Sequence, residues 1–407
     1  MKATTPTPLL LIWLVPLLLL SFAAWGPQTR GAAESPAADA VASPSIIKGL
    51  VVLVQFPDAR AAVDRSMVER RFNRQLGDYV RQMSYGKVSL AVDVTERWYE
   101  MPKPVTGYRI SPRTLEVDKS RVRVLIDDAL GAAEKDADFS KYSFVAIFMA
   151  AGIRDYGMIG LCGYPGMLGW RDEDVLRTRN GHVVPGGVAI FCYQAHLGTL
   201  FHDVAHILGG VRDGKRVVPC LYDHDLQAKP GPVRETFHEA IVNMGFWDPM
   251  SCHYWRRDAP PPGLSSWTKL RLGWLEESKV RTVRKSDETE VVLGPLQDGS
   301  AEVLAIKLPV SGSSFYLIEN RQPIGYDQNL PGSGVLILYA DDEIAECRHG
   351  RAPVKLVNAQ PSVPRLEGAA FDAGERNSFR DEANQVTIRI EEKIGDAYRV
   401  RVSRKPE

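Results

Sequence analysis

Hydrophobic positions divide the chain into stretches of different character. Leu9 to Trp25, LLLIWLVPLLLLSFAAW, is a short apolar run preceded by Lys2 and interrupted by Pro16. With small-residue cleavage options near Ala23 and Ala33, it reads as a secretory leader over residues 1–33. A retained anchor would want about 20 apolar residues. Residues 34–45, ESPAADAVASPS, carry no periodic apolar pattern and read as a flexible tether.

The folded part is expected to begin at IIKGLVVLVQFPD, Ile46 to Asp58, a near-continuous β-branched run that suits a strand buried on both faces. From Arg65 to Met83 the apolar residues Met67, Val68, Phe72, Leu76, Tyr79, Val80 and Met83 recur at helical spacing, and Gly86 closes the segment. VSLAVDVTERWYEM from Val88 alternates as a strand does. A second helix is predicted over Lys119–Glu134, and SFVAIFMAA from Ser143 reads as another buried strand. Alternation of strands and helices argues for helices packed on a mixed sheet. After about Val280 the segments EVVLGPL, AEVLAIKLPV, SSFYLIENRQ, SGVLILYAD, NQVTIRIEEKI and AYRVRVSRK alternate between turn residues. That is an all-β pattern, a sandwich or a partly open barrel. The expected fold class is therefore α+β: a domain over 46–280, then a β-rich region over 281–407.

Composition narrows the partners. In 407 residues, 50 basic side chains balance 50 acidic ones, and no Lys/Arg run is interleaved with aromatics. Nucleic acid is set aside, as is any membrane role beyond the leader. Cys162, Cys192, Cys220, Cys252 and Cys347 make an odd count for an exported chain, so one or two disulfides would leave at least one cysteine over.

The candidate chemistry sits in GTLFHDVAHILGG, Gly198 to Gly210. Leu197, Leu200, Phe201, Val204 and Leu208 form an i, i+3, i+4 stripe that buries one side of a helix. His202 and His206, four apart, project together from a neighbouring face and can offer two nitrogens to one zinc ion. Gly209-Gly210 ends the helix where the chain must turn to bring a third ligand.

Further segments carry a resemblance. PCLYDHD (Pro219 to Asp225), FWDPMSCHYW (Phe246 to Trp255), GLSSWTKLRLGWL (Gly263 to Leu275), KGLVVLVQFPD, MSYGKVSL and FYLIENRQPIGYDQNLPGSGVLILYADD (Phe315 to Asp342) occur in one order along the chain. Together with the helix they resemble the immune inhibitor A-like family of secreted zinc metallopeptidases, over nearly all of the chain after residue 46. The resemblance implies a zincin-like domain, a twisted sheet with helices, one catalytic zinc ion, and hydrolysis of protein or peptide substrates by a zinc-activated water. Met250 would then form a structural turn beneath the metal.

Two positions depart from the family pattern. Its third ligand is an aspartate soon after the helix glycine; here Asp213 or Cys220 can take that place, and Asp213 is favoured because Cys220 has a competing disulfide role. Asp203 stands where the family has glutamate, as a general base one methylene, about 1.5 Å, shorter. A displacement of about 1 Å can cost on the order of a hundredfold in rate. His253 or Tyr254 could donate to an oxyanion, and Glu239 and Asp223 fall in segments expected near the cleft. The Gly-rich Met158–Trp170 segment is expected as an irregular cleft rim, and activation by loss of a large pro-domain is not expected. The competing readings are a catalytically weak or inactive relative acting as a binding or scaffold protein and, by fold analogy alone, a carbohydrate-binding or adhesive role for the β-rich part.

Overall fold

The computed structural model describes residues 44–111, 117–170, 176–223, 243–256, 258–284 and 288–404. The expected leader, most of the tether and Glu239 lie outside the described residues. No described helix is long and apolar enough to cross a membrane.

The architecture is mixed α/β, with several sheets and few helices. In the first sheet the strands run in the order Val88–Val94, Ser45–Gln55, Phe144–Met149, Val188–Cys192, Gly160–Tyr164, and the short Tyr99–Glu100 strand pairs with the end of Ser45–Gln55. All pairings are parallel except that of Gly160–Tyr164 on Val188–Cys192. Parallel strands need cover on both faces, and residue alternation supplies it. Val51, Leu53, Phe144, Phe148 and Phe191 point to one side, against Phe72, Leu76 and Tyr79 of the first helical segment and Leu200, Phe201 and Val204 of the Leu197–Gly209 helix. Val52, Val54, Val145, Ile147 and Ile190 point to the other, against Val122, Leu125, Ile126 and Ala129 of the Lys119–Ala133 helix. The two continuous apolar runs are thus central strands, buried on both faces over 49–54 and Phe144–Met149, while Ile46 itself is exposed. The first helical segment is continuous over the anticipated range, Arg65–Glu69, Arg70–Leu76 and Gly77–Met83, and its middle stretch is a π-helix.

The irregular rim expected at Met158–Trp170 is corrected in part: Gly160–Tyr164 is the antiparallel edge strand of the first sheet. Glycine lowers strand propensity in isolation, but here close packing outweighs that cost. A methyl group at Gly160 would stand 2.5 Å from Thr199 Cγ2 and 2.8 Å from Asp203 Oδ2. The chain then folds back, with Met167 N–H donating to Cys162 O and Leu168 N–H to Gly163 O.

Beyond Val280 two sheets stack. A five-stranded sheet, Val280–Thr282, Ala305–Ser311, Ser314–Arg321, Gly334–Asp341 and Val354–Leu356, faces a four-stranded antiparallel sheet of Glu288–Leu293, Ala397–Arg404, Val386–Ile394 and Ser378–Asp381. Ile306, Leu308, Ile318 and Ile337 meet Ile388, Ile390, Val400 and Val402 between them. The opposite face of the five-stranded sheet, with Phe315, Leu317, Leu336 and Leu338, joins the core that holds Phe201 and Val204. Ser314–Arg321 is consequently buried at every residue, charged ones included. Arg321 donates to Asp327 (2.6 and 2.7 Å), Glu319 (3.0 Å), Trp247 O (3.0 Å) and Gly263 O (2.8 Å). This buried cation ties the β-rich region to the turn under the candidate site.

Candidate metal centre

The Leu197–Gly209 helix begins at His196, whose Nδ1 accepts from Gly198 N–H at 3.1 Å, and ends at Gly210, which adopts a left-handed φ of 66°. One side of the helix fills the core. The adjoining side presents His202 and His206, 2% and 1% exposed, with ring centroids 4.7 Å apart and planes at 89°.

Each imidazole is fixed through Nδ1. His202 Nδ1 lies 3.0 Å from Pro249 O, and His206 Nδ1 lies 2.7 Å from Val218 O. A carbonyl can only accept, so each Nδ1 carries the proton when the ring is neutral, and each Nε2 is left with a lone pair. Both Nε2 atoms face the Cys220 sulfur, at 3.5 and 3.4 Å. One thiol proton can satisfy only one of two lone pairs. The three donors form a buried His202, His206, Cys220 group. Zinc bonds of about 2.3 Å to sulfur and 2.0–2.1 Å to nitrogen at a tetrahedral angle put the two donors about 3.5 Å apart. The donor set and its spacing therefore fit a zinc ion, with carbonyl partners orienting both imidazoles.

Cys220, and not Asp213, is brought to the imidazoles, which corrects the preference for Asp213. Asp213 is exposed, at φ 52°, in the tight turn between Val211–Arg212 and Lys215–Arg216. The residues after Gly210 close a short antiparallel hairpin with Asp213 exposed at its tip, and the chain returns to the helix only at Val218–Cys220. No disulfide joins any of the five cysteines, so the competing role given to Cys220 falls away.

Asp203 is 5% exposed, and its Oδ2 has no hydrogen-bond partner. Burial pushes its carboxyl up to about 7, opposed in part by His202 and by the Cys162 backbone N–H. Burial also disfavours protonation of the imidazoles. It prevails at His206, which is lowered, whereas at His202 the Cys220 sulfur, Asp203 and the Pro249 carbonyl together outweigh it and the ring is raised.

The other anticipated residues divide. His253 joins the cluster, its ring 4.6 Å from that of His202 and its Nδ1 2.9 Å from Thr199 Oγ1. Burial, then the neighbouring His202, holds it well below the usual imidazole range. Tyr254 instead packs on His196 at 4.8 Å. Asp223 is fully buried and accepts from Gly350 N–H at 2.6 Å. Met250 is buried in the turn whose Pro249 carbonyl orients His202; its N–H donates to Asp248 Oδ1 at 2.8 Å. Asp248 also accepts from Ser265 and Thr268, which anchors this turn to the start of the Ser266–Arg271 helix.

Two neighbours were not anticipated. Tyr222 stacks on His202, with centroids 5.5 Å apart and planes at 11°, and burial, then the nearby Cys220 sulfur, pushes its hydroxyl well above the usual range. Arg216 reaches to 4.0 Å from the Cys220 sulfur while pairing with Glu346 at 2.6 and 2.8 Å and lying over Trp170. Tyr222 could have been found from its place in the Leu-Tyr-Asp segment; Arg216 had no signal, since its partners come from distant segments. No protein-family model matches the chain, and no curated protein matches it.

Proposed function

We propose that this chain is an exported zinc-dependent endopeptidase of zincin-like architecture, with a single zinc ion held by His202, His206 and Cys220. The observation that carries the reading is the convergence of two Nε2 lone pairs on one buried sulfur, beside a buried carboxylate oxygen that has no partner. The chemistry zinc supplies when bound is Lewis acidity toward water and a substrate carbonyl.

The chain's own residues account for the remaining steps. Asp203, held near neutrality, takes the proton of the attacking water and returns it to the leaving amine as the C–N bond breaks. His253, kept neutral by burial, shares a hydrogen bond between Nδ1 and the Thr199 hydroxyl; in the tautomer whose Nδ1 accepts, its Nε2–H donates to the developing oxyanion. The leader expected over residues 1–33 supports a secreted, periplasmic or cell-surface location.

A second reading, a zinc-stabilised binding or scaffold protein, is favoured by the burial of all three ligands to 1–2% exposure. Metal content together with turnover on casein separates the two. The peptidase reading expects about one zinc per chain and chelator-sensitive hydrolysis. Asp203→Asn should keep the zinc and lose about a hundred- to ten-thousandfold in rate. Zinc without any chelator-sensitive hydrolysis would leave the scaffold reading.

A further inference from the structure

A groove of about 550 Å³ opens at the start of the Leu197–Gly209 helix, lined among others by Arg71, Arg74, His196, Pro260 and Tyr326. Arg71 is half-buried there. Its Nη1 donates to Tyr193 O at 2.5 Å and Ala195 O at 3.5 Å, which fixes the guanidinium in place. Among the described residues no carboxylate pairs with either Arg71 or Arg74. Asp78, on the same wall, is taken by Arg81 at 2.7 Å. Asp258 stands exposed on the rim. His196 is no counter-ion to Arg71: burial, opposed by the Ala259 carbonyl and aided by Arg71 itself, lowers the pKa of its ring.

A partly desolvated guanidinium is ordinarily paired. Arg71 has two carbonyls and no anion, with donors left over in the fork geometry that suits a carboxylate. We propose that this groove is a carboxylate-binding subsite for peptides, with Arg71 as its principal donor and Arg74 as a supporting charge. His196 precedes His202 by six residues, about 9 Å along the helix axis. An extended peptide covers that distance in about two to three residues. If the chain is a peptidase, which is the reading this assignment of a peptide ligand rests on, the groove selects a substrate carboxylate away from the cleaved bond, since none of the metal-site residues lines it. The carboxylate can come from an acidic side chain or from the peptide's own C-terminus.

The test is direct binding to the full chain carrying Asp203→Asn, so that uncleaved peptide is read whether or not the chain hydrolyses it. Fluorescein-labelled hexapeptides are compared in two arms: Glu against Gln in C-terminally amidated peptides, and free against amidated C-terminus in neutral ones. In at least one arm the acid should bind about tenfold or more tighter than its neutral counterpart. Arg71→Gln should abolish that preference. Arg74→Gln, an exposed substitution, should reduce it about two- to threefold at low salt. Equal binding of acid and neutral peptides in both arms, or a preference that survives Arg71→Gln, overturns the proposal. So does the absence of peptide binding. Should Arg71→Gln fail to fold, an unchanged preference in Arg74→Gln overturns it.

Discussion

Removing the Cys220 sulfur is the perturbation that most directly probes the metal centre. Cys220 is 2% exposed and stands 3.4–3.5 Å from two Nε2 atoms that have their protons on the far side of the ring. In Cys220→Ala the two lone pairs remain aimed at the same point and the anionic donor is gone. Losing an outer partner of a metal ligand typically costs 10–100-fold in affinity, so losing the ligand itself should cost at least about a hundredfold, about 2.7 kcal/mol. Zinc affinity is measured by competition with a chromophoric chelator, alongside thermal unfolding with and without chelator. Wild type should show a chelator-dependent drop in Tm, and Cys220→Ala should show almost none. Asp213→Ala, at the exposed hairpin tip, should match wild type in both measurements. Undiminished affinity in Cys220→Ala, or loss of zinc in Asp213→Ala, would refute the assignment of ligands.

Two further predictions concern the buried charges that support the site. Lys269 is fully buried, donates to Met83 O at 2.7 Å, and is pulled down to about 7 by desolvation, against the pull of Asp327. The unfolded chain keeps that lysine protonated up to about 10.4. Between those values the unfolded state holds the extra proton, so this group's stability is lost as pH falls from about 10 to 7, at up to about 1.4 kcal/mol per pH unit. Urea unfolding from pH 7 to 9.5 should show wild type gaining on Lys269→Met as pH rises; parallel pH profiles would contradict the sign. Arg321→Met would leave Glu319 and Asp327, both at or below 2% exposure, without their cation. A loss of about 3–5 kcal/mol is expected, smaller at pH 4 than at pH 8, because burial pushes the Glu319 carboxyl up and its protonated form needs no cation. A loss under about 1 kcal/mol would show the network to be dispensable.

Local pattern alone determined much of the molecule. The β-branched run at Ile46, the helical spacing from Arg65 to Met83 and the alternation after Val280 each follow from a side-chain period that matches a backbone period. His202 and His206 were legible for the same reason, since four residues on one helix bring two side chains to a single face. Tertiary structure decided what joined them. The Asp213-Gly214 pair, both residues at positive φ, is a local signature of a two-residue hairpin turn, but nothing in the sequence says that Cys220 returns to the imidazoles beyond it. Whether a cysteine becomes a ligand, a disulfide partner or a core residue depends on distances between segments that are not adjacent in sequence. The Gly160 strand was hidden because glycine reads locally as a loop, yet its missing side chain is what admits Thr199 and Asp203. Desolvation of Asp203, Lys269 and Arg71 belongs to the same class: a carboxyl, an amine and a guanidinium look ordinary in sequence, and only the groups packed around them set their charge and reach.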